Sequence, residues 1–548
     1  MAKAWNRRLA LAGGAALAAG GYWALKPRQN QPHQKVQLGT LYRGNVAEPE
    51  SLDPSLVQGQ PEEEVLGDLM IGLMDSDVMG RPVPGMATSW QTSPDGLTWT
   101  FHLREALWSD GKPVTADDFV FSWQRLLNPA TAAFYAYFAY PLKNARPINN
   151  GKMPPTALGA HALDARTLQV NLEHPVPHLL QMATHMTMYP QPRHVVSVKD
   201  RAWARPGSYV GNGPFLLNEW VPHGHITLEK NPLFYDAANV SLKRVVFFPT
   251  DDYSAAVQRL RAGELDFQDR APPDRIPWIK QNMPGTVQQV PQLITDFISI
   301  NVRRKPFDDV RVRHAINLVI SREAICDRVL RGTDVAAYNL VPPTVANYPG
   351  GIAFEFKDRP YQDRLAQARA LMQSAGFGPD RPVKTTLMTR ATTPGNYRSV
   401  AAALQQMLAL IHINISILPN DMMMFYDTIQ VHDFDLGYAG WQADFDDASS
   451  FLELFVTGNG QNWGEYSNRS YDQLLAAAQH EVDIVSRGRK LAAAERILLD
   501  DHALAPLYFW TSTNLIRPYL KGMQANPLDF HRSRWISIDE KARARLLT

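Results

Sequence analysis

The stretch "VKTTLMTRATTPGNYRSVAAALQQMLALIHINISILP", Val383 to Pro419, decides the fold class. It reads as a strand over "VKTTLMTR", then a helix from Tyr397, then a second strand ending at Pro419. A further helix precedes it at "QDRLAQARALMQSAGF", stopped by Gly376. Strand and helix in alternation predict an α/β lobe with a largely parallel sheet.

Toward the N-terminus, a strand from Phe297 to Val302 runs through a basic turn into a helix starting near Asp309, and the lobe boundary falls here. Toward the C-terminus, "YDQLLAAAQHEVDIVSRGRKLAAAERILLDD" supplies two helices. "ALAPLYFWTSTNLIRPYL" follows as an apolar strand able to cross back to the first lobe. Two lobes agree with the length, because 548 residues exceed what one core serves. Ligands of such architectures sit between lobes.

The first lobe has its own clear signals. "GLTWTFHLREALWSDGKPVTADDFVFSWQRLL" places Leu97, Trp99, Phe101 and Leu103 on one strand face, turns at Asp110-Gly111, and enters a helix. Thr115 caps that helix with Asp118 three positions on, and Phe119, Val120 and Trp123 form its apolar face. "TLQVNLEHPVP" and "HITLEKNPLFYD" read as strands, and "DYSAAVQRLRAGELDF" as a helix stopped near Gly263.

The first residues, "MAKAWNRRLALAGGAALAAGGYWALKPRQN", put a basic segment before an apolar run from Leu9 to Leu25, the pattern of an export signal. An uncleaved anchor is the alternative, since the run sits at the short edge of spanning length. Asn6-Arg7-Arg8-Leu9 resembles a twin-arginine signal, and the lack of a cysteine here excludes a lipoprotein anchor. Net charge is +1, and setting aside the leader cations Lys3, Arg7, Arg8, Lys26 and Arg28 makes the remainder mildly acidic. An acidic exported chain is a poor nucleic-acid binder. The single Cys326 cannot form an internal disulfide and reads as a buried small hydrophobe.

Catalytic motifs are mostly absent: there is no GxSxG elbow, HExxH pair, Walker loop or zinc-type cysteine pair. "GNGQNWG" (Gly458 to Gly464) misses a nucleotide loop by one residue and reads as a turn. The cluster Asp444, Asp446 and Asp447 in "GWQADFDDASSFLELF" admits an acid catalyst or a calcium site, but the EF-hand ligand spacing is missing. Asp446 or Asp447 is expected to cap the helix that follows. Asp444 lies further out beside Trp441, where a carboxylate and an indole suit an ammonium group.

These residues carry a family resemblance. "PGMATSWQTSPDGLTWTFHLREALWSDGKPVTADDFVFSWQRLLNP" (Pro84 to Pro129) resembles the signature of extracellular solute-binding proteins of family 5, which serve oligopeptide and dipeptide ABC importers. "EPESLDPSLVQGQPEEEVLGDLMIGL", "GNGPFLLNEW", "KPFDDVRVRHAINLVISRE", "ARALMQSAGF" and "GWQADFDDASSFL" follow in the family's order. The resemblance implies a two-lobed α/β binding protein of the large peptide-binding type, with an extra domain inserted in the first lobe. The expected division is export signal 1–34, lobe one 35–70, extra domain 71–195, lobe one again 196–296, lobe two 297–510 and a return to lobe one over 511–548. It implies a monomeric periplasmic receptor, without cofactor or enzymatic activity, that closes over a peptide and delivers it to membrane permease subunits.

By the same resemblance Asp444 pairs with the peptide's N-terminal ammonium, with Trp441 and Gln442 beside its backbone. Tyr135 fixes the first residue, and Gln58, Gly59 and Gln60 pair with the peptide as an added strand. Core packing among Phe134, Tyr137, Phe138 and Tyr140 is the competing reading of Tyr135. Tyr438 stands where oligopeptide binders carry an arginine that helps hold a peptide's carboxylate, and Met422 stands near an expected aromatic wall. Rival readings are dipeptides, murein peptides, nickel complexes or cationic sugars on the same fold, or an acid- or metal-dependent enzyme using Asp444, Asp446 and Asp447.

Overall fold

The computed structural model describes residues 37–45, 47–57, 59–250, 252–390, 397–443 and 445–547, with only the backbone at 422, 423 and 547. The chain divides into a unit of residues 1–38 and a unit of residues 39–548. Of the first, Gln37 and Leu38 are described and exposed; the expected export signal lies outside the described residues. No helix among the described residues is long and apolar enough to cross a membrane.

The larger unit is organised on one eleven-stranded sheet. From one edge its strands run Ile413–Asn420, Val383–Arg390, Leu436–Gln442, Val287–Ile300, Leu504–Ile516, Phe267–Gln268, Thr40–Asn45, Arg244–Pro249, His225–Lys230 and Phe215–Val221, with Val335–Ala336 also on Leu504–Ile516. The expected strand-helix-strand unit is present: Val383–Arg390 and Ile413–Asn420 are parallel, joined through the helix Tyr397–Ala409. The sheet around it is mixed, however, because Leu436–Gln442 and Leu504–Ile516 both pair antiparallel with Val287–Ile300. Strand alternation sends neighbours to opposite faces. Phe297 and Ala439 join one apolar cluster, and Ile298 and Tyr438 join another on the other face.

Two long strands carry the chain between its halves. Val287–Ile300 begins ten residues before the expected Phe297, since "VQQVPQLITD" lacks apolar alternation and contains Pro291. Its pairing with Leu504–Ile516 is interrupted between Pro291 and Thr295. Each half has a core on both sheet faces.

A separate four-stranded antiparallel sheet, Ala87–Thr92, Thr98–Leu103, Thr167–Asn171 and Ala160–Asp164, packs on the first half. Its helix Ala116–Leu127 follows the sequence signals, with Phe119 and Trp123 buried and Val120 half-buried. The Asp118 carboxylate accepts the Thr115 N–H at 2.9 Å and the Trp108 indole N–H at 3.3 Å. An Asp118→Ala variant is therefore expected to lose about 1 to 2 kcal/mol of stability, read as a lowered denaturant midpoint, because it removes half of the capping box and a buried acceptor together.

Candidate functional site

The strand Leu436–Gln442 positions the motif residues. Within it, Gly440, Trp441 and Gln442 lie opposite Asp296, Thr295 and Ile294. Gly440 is required by a close approach: a Cβ there would meet Asp296 Oδ1 at 2.1 Å. Trp441 is half-buried, with its indole N–H 3.5 Å from Ser450 Oγ. Gln442 is exposed at the strand end. Asp444, the central expectation, and Gln58 lie outside the described residues, as does the side chain of Met422.

Trp441 lines a cavity of about 860 Å³ between the inserted domain and the second half, with Tyr137, Phe138 and His178 on the opposite wall. Phe445 lines it as well. Its ring stacks on His178 at 4.4 Å between centroids and meets Phe138 edge-on at 6.3 Å. Burial pushes the His178 imidazole down to about 4, so it is neutral at pH 7. Tyr135 is half-buried and is not among the residues lining this cavity; its ring contacts Phe134, Tyr137 and His185 at 5.4, 5.5 and 5.6 Å.

The other expected residues are engaged within the chain. Gly59 donates its N–H to Glu62 Oε2 at 3.0 Å, its carbonyl accepts the Glu63 N–H at 3.3 Å, and Gln60 opens the helix Gln60–Leu69. Both backbone groups of Gly59 are thus engaged at the start of that helix. Tyr438 has no exposed surface. Its hydroxyl shares a 2.6 Å hydrogen bond with that of Tyr508, which donates to Asp296 at 2.6 Å. Burial raises the Asp296 carboxyl, and Arg390 opposes that rise. Position 438 thus belongs to a buried array behind the cleft wall, in which Arg390 is the cation and also donates to the Tyr397 hydroxyl.

The carboxylate cluster separates. Asp446 Oδ1 accepts the Ala346 N–H at 2.8 Å, 100 residues away in sequence, instead of capping the next helix. Asp447 does accept the Ser449 N–H at 2.9 Å, but the helix it opens is only Ser449–Leu452 with a 3-10 turn over Glu453–Phe455. Its main partner is Arg487, bound through both carboxylate oxygens at 2.6 and 2.9 Å. Burial alone would raise Asp447, but His178, which carries charge only in acid, and Arg487 outweigh it and hold the carboxyl at about 2. Nothing in the local sequence marks Arg487 as this partner. Among the described residues, no three His, Cys, Asp or Glu side chains converge to hold a metal ion.

A second cavity of about 580 Å³ opens between the halves nearer the long strands. Its first-half wall includes Asp252, Asp269 and Arg270, and its second-half wall includes Asp334, Tyr508 and Trp510. Sequence reasoning did not single out these residues, because they come from four separate segments.

A mixed sheet shared by two halves, with ligand-sized cavities between them, defines a binding protein of the two-lobed kind. The chain belongs to the bacterial extracellular solute-binding proteins of family 5, whose family model matches residues 81–463. Over 506 residues it is 36% identical to the periplasmic oligopeptide-binding protein OppA of Salmonella typhimurium, covering 90% of this chain and 92% of that one. It is 35% identical over 505 residues to the periplasmic murein peptide-binding protein MppA of Escherichia coli, covering 91% and 93%. The crystal structure of Haemophilus influenzae OppA in complex with RPPGFSPFR matches with a TM-score of 0.78 at 33% identity, covering 92% of this chain and 100% of that one. Family and relatives are binding proteins, and the family is one of extracellular receptors.

Proposed function

We propose that this protein is the peptide receptor of an ABC importer, closing its two halves over a peptide in the periplasm and passing it to membrane permease subunits. The supporting observation is Trp441, held at the end of a central strand on the wall of the 860 Å³ interlobe cavity, with Asp444 three residues on. An indole and a carboxylate at that spacing match an ammonium group, and the remaining contacts to a peptide backbone serve many sequences alike. A binding role without catalysis fits the described carboxylates, since Asp446 and Asp447 are committed to Ala346 and Arg487. The reading includes a monomer and a hinge at the interrupted pairing between Pro291 and Thr295.

Mass spectrometry of ligand released from the purified protein should find unaltered peptides. Acetylating the amino terminus of a bound peptide should weaken its affinity at least tenfold in a calorimetric titration. Equal binding of blocked and free peptides would overturn the ammonium role, and turnover of the ligand would overturn the receptor.

A further inference from the structure

We propose that His178 of the inserted domain is a positioning residue for the ammonium site: its ring, stacked on Phe445, fixes the loop that carries Asp444. The inference rests on the peptide reading above and adds to it a residue from the opposite wall of the cavity. Asp444 is flanked in sequence by Ala443 and Phe445. On one side Ala443 continues the strand, donating its N–H to the Leu293 carbonyl at 2.8 Å. On the other, the Phe445 ring lies 4.4 Å from that of His178 between centroids and 10° from parallel. Asp446 and Asp447 are tied as well, but their partners Ala346 and Arg487 belong to the second half, as the loop does. His178 and Phe138 bring the loop its contacts from across the cavity.

His178 is itself firmly held. Its carbonyl accepts the N–H groups of Gln181 and Met182 at 2.9 and 3.1 Å, opening the short helix Leu179–Met182. Pro175 and Val176, just before it, are buried. A Cβ built on Gly96 would meet Pro175 Cβ and Val482 Cγ1 both at 3.2 Å, so the inserted domain touches the second half at Val482 too. The stack therefore joins an anchored segment to a loop whose far end is fixed by Arg487, and parallel rings at that spacing attract beyond their burial.

The stack loosens in acid. His178 Nδ1 is buried with no hydrogen-bond partner among the described residues. The charged and titratable groups facing the ring are Asp447 on the loop, Arg487 on the helix Ile484–Asp500 and His174 on its own segment. Arg146, Glu173 and Glu453 also line the cavity. Asp447 favours a proton on the ring, but both its oxygens are taken by Arg487, whose charge opposes one. A cation gains from an aromatic face, yet a buried charged N–H without an acceptor loses more. Burial accordingly pushes the imidazole down to about 4. A ring released from the stack takes up its proton at about 6.5. The stacked arrangement is therefore fully favoured above that value and loses ground to the released one as pH falls below it.

The test is a calorimetric series with tetraalanine and N-acetyl-tetraalanine on the purified parent and its His178→Ala and His178→Phe variants. At pH 7, where the peptide's ammonium is already formed, His178→Ala is expected to bind tetraalanine at least tenfold more weakly than the parent and to discriminate less between free and acetylated peptide. His178→Phe keeps a ring against Phe445 and should stay within threefold of the parent, with its discrimination intact. Between pH 7 and 5 the parent's affinity should fall at least fivefold, while that of His178→Phe, which has no proton to take up there, falls less than twofold. Parent-like affinity and discrimination in His178→Ala, or the same pH profile in the parent and His178→Phe, overturns the inference and leaves the peptide receptor in place. If the parent binds the free and acetylated peptides alike, the ammonium reading fails and the inference with it. If the parent binds neither, the peptide reading itself fails.

Discussion

An Asp444→Ala variant is expected to bind an unblocked peptide roughly 30- to several-thousand-fold more weakly than the parent protein. Truncating one member of a desolvated charge pair costs about 2 to 5 kcal/mol, much of it from stranding the other charge. Closure of the halves would exclude water from the ammonium, so the loss should fall mainly on the dissociation rate. The thermal midpoint of the ligand-free variant should match the parent within a degree or two, separating lost binding from lost fold. Calorimetry with a free and an N-acetylated peptide completes the comparison. If Asp444 holds the ammonium, the variant no longer distinguishes the two. A variant that binds with the parent's affinity would remove the residue from the site.

Arg487→Ala is expected to destabilise the fold by about 3 to 5 kcal/mol. Asp447 and Arg487 are almost fully buried, with side-chain exposures of 5% and 4%, and are joined by two hydrogen bonds. Removing the guanidinium strands a carboxylate in the interior, a far larger loss than the pair's own net worth. Replacing both residues with apolar ones of similar volume should recover much of the loss. A depressed carboxyl contributes stability that is present above its unfolded value near 4 and lost as pH falls through the folded value near 2. Without Arg487, burial raises the Asp447 carboxyl, so the parent's advantage over Arg487→Ala in denaturant unfolding should be greatest at neutral pH, begin to shrink as the variant's stranded carboxyl takes up a proton above about pH 4, and be lost toward pH 2. An advantage unchanged from pH 7 down to about 2 would mean that Asp447 is not the group that titrates.

Local chemistry was legible in the sequence where one short segment decides it. Thr115 and Asp118 announce their helix because a capping box is complete within four residues, and Asp309 caps Val310–Val319 by accepting the Arg311 N–H. The strand-helix-strand unit from Val383 and the buried Cys326 follow from periodicity alone. Partners chosen across the fold were not legible. Asp447 finds Arg487 forty residues later, Asp446 finds Ala346, and Phe445 finds His178 in the inserted domain. The early start of Val287–Ile300 escaped notice because a polar strand containing a proline carries no alternation, and is held by its neighbours instead. The acidic cavity was hidden for a related reason. Its carboxylates belong to loops that mean nothing together until the halves are assembled.

The placement of Leu504–Ile516 at the middle of the great sheet has a consequence for biogenesis. This strand separates Val287–Ile300 from Phe267–Gln268, so neither half of the sheet is bridged to the other until residue 504 has been made. Arg543 later ties the end of the chain to the Thr40 carbonyl and to Asp266. Such long-range pairings form late and slowly. A nascent chain of this protein thus spends most of its synthesis with an open sheet edge and no finished core. That delay leaves strand Val287–Ile300 without its partner Leu504–Ile516 through most of synthesis, and it makes chaperone cover over that strand the expected requirement.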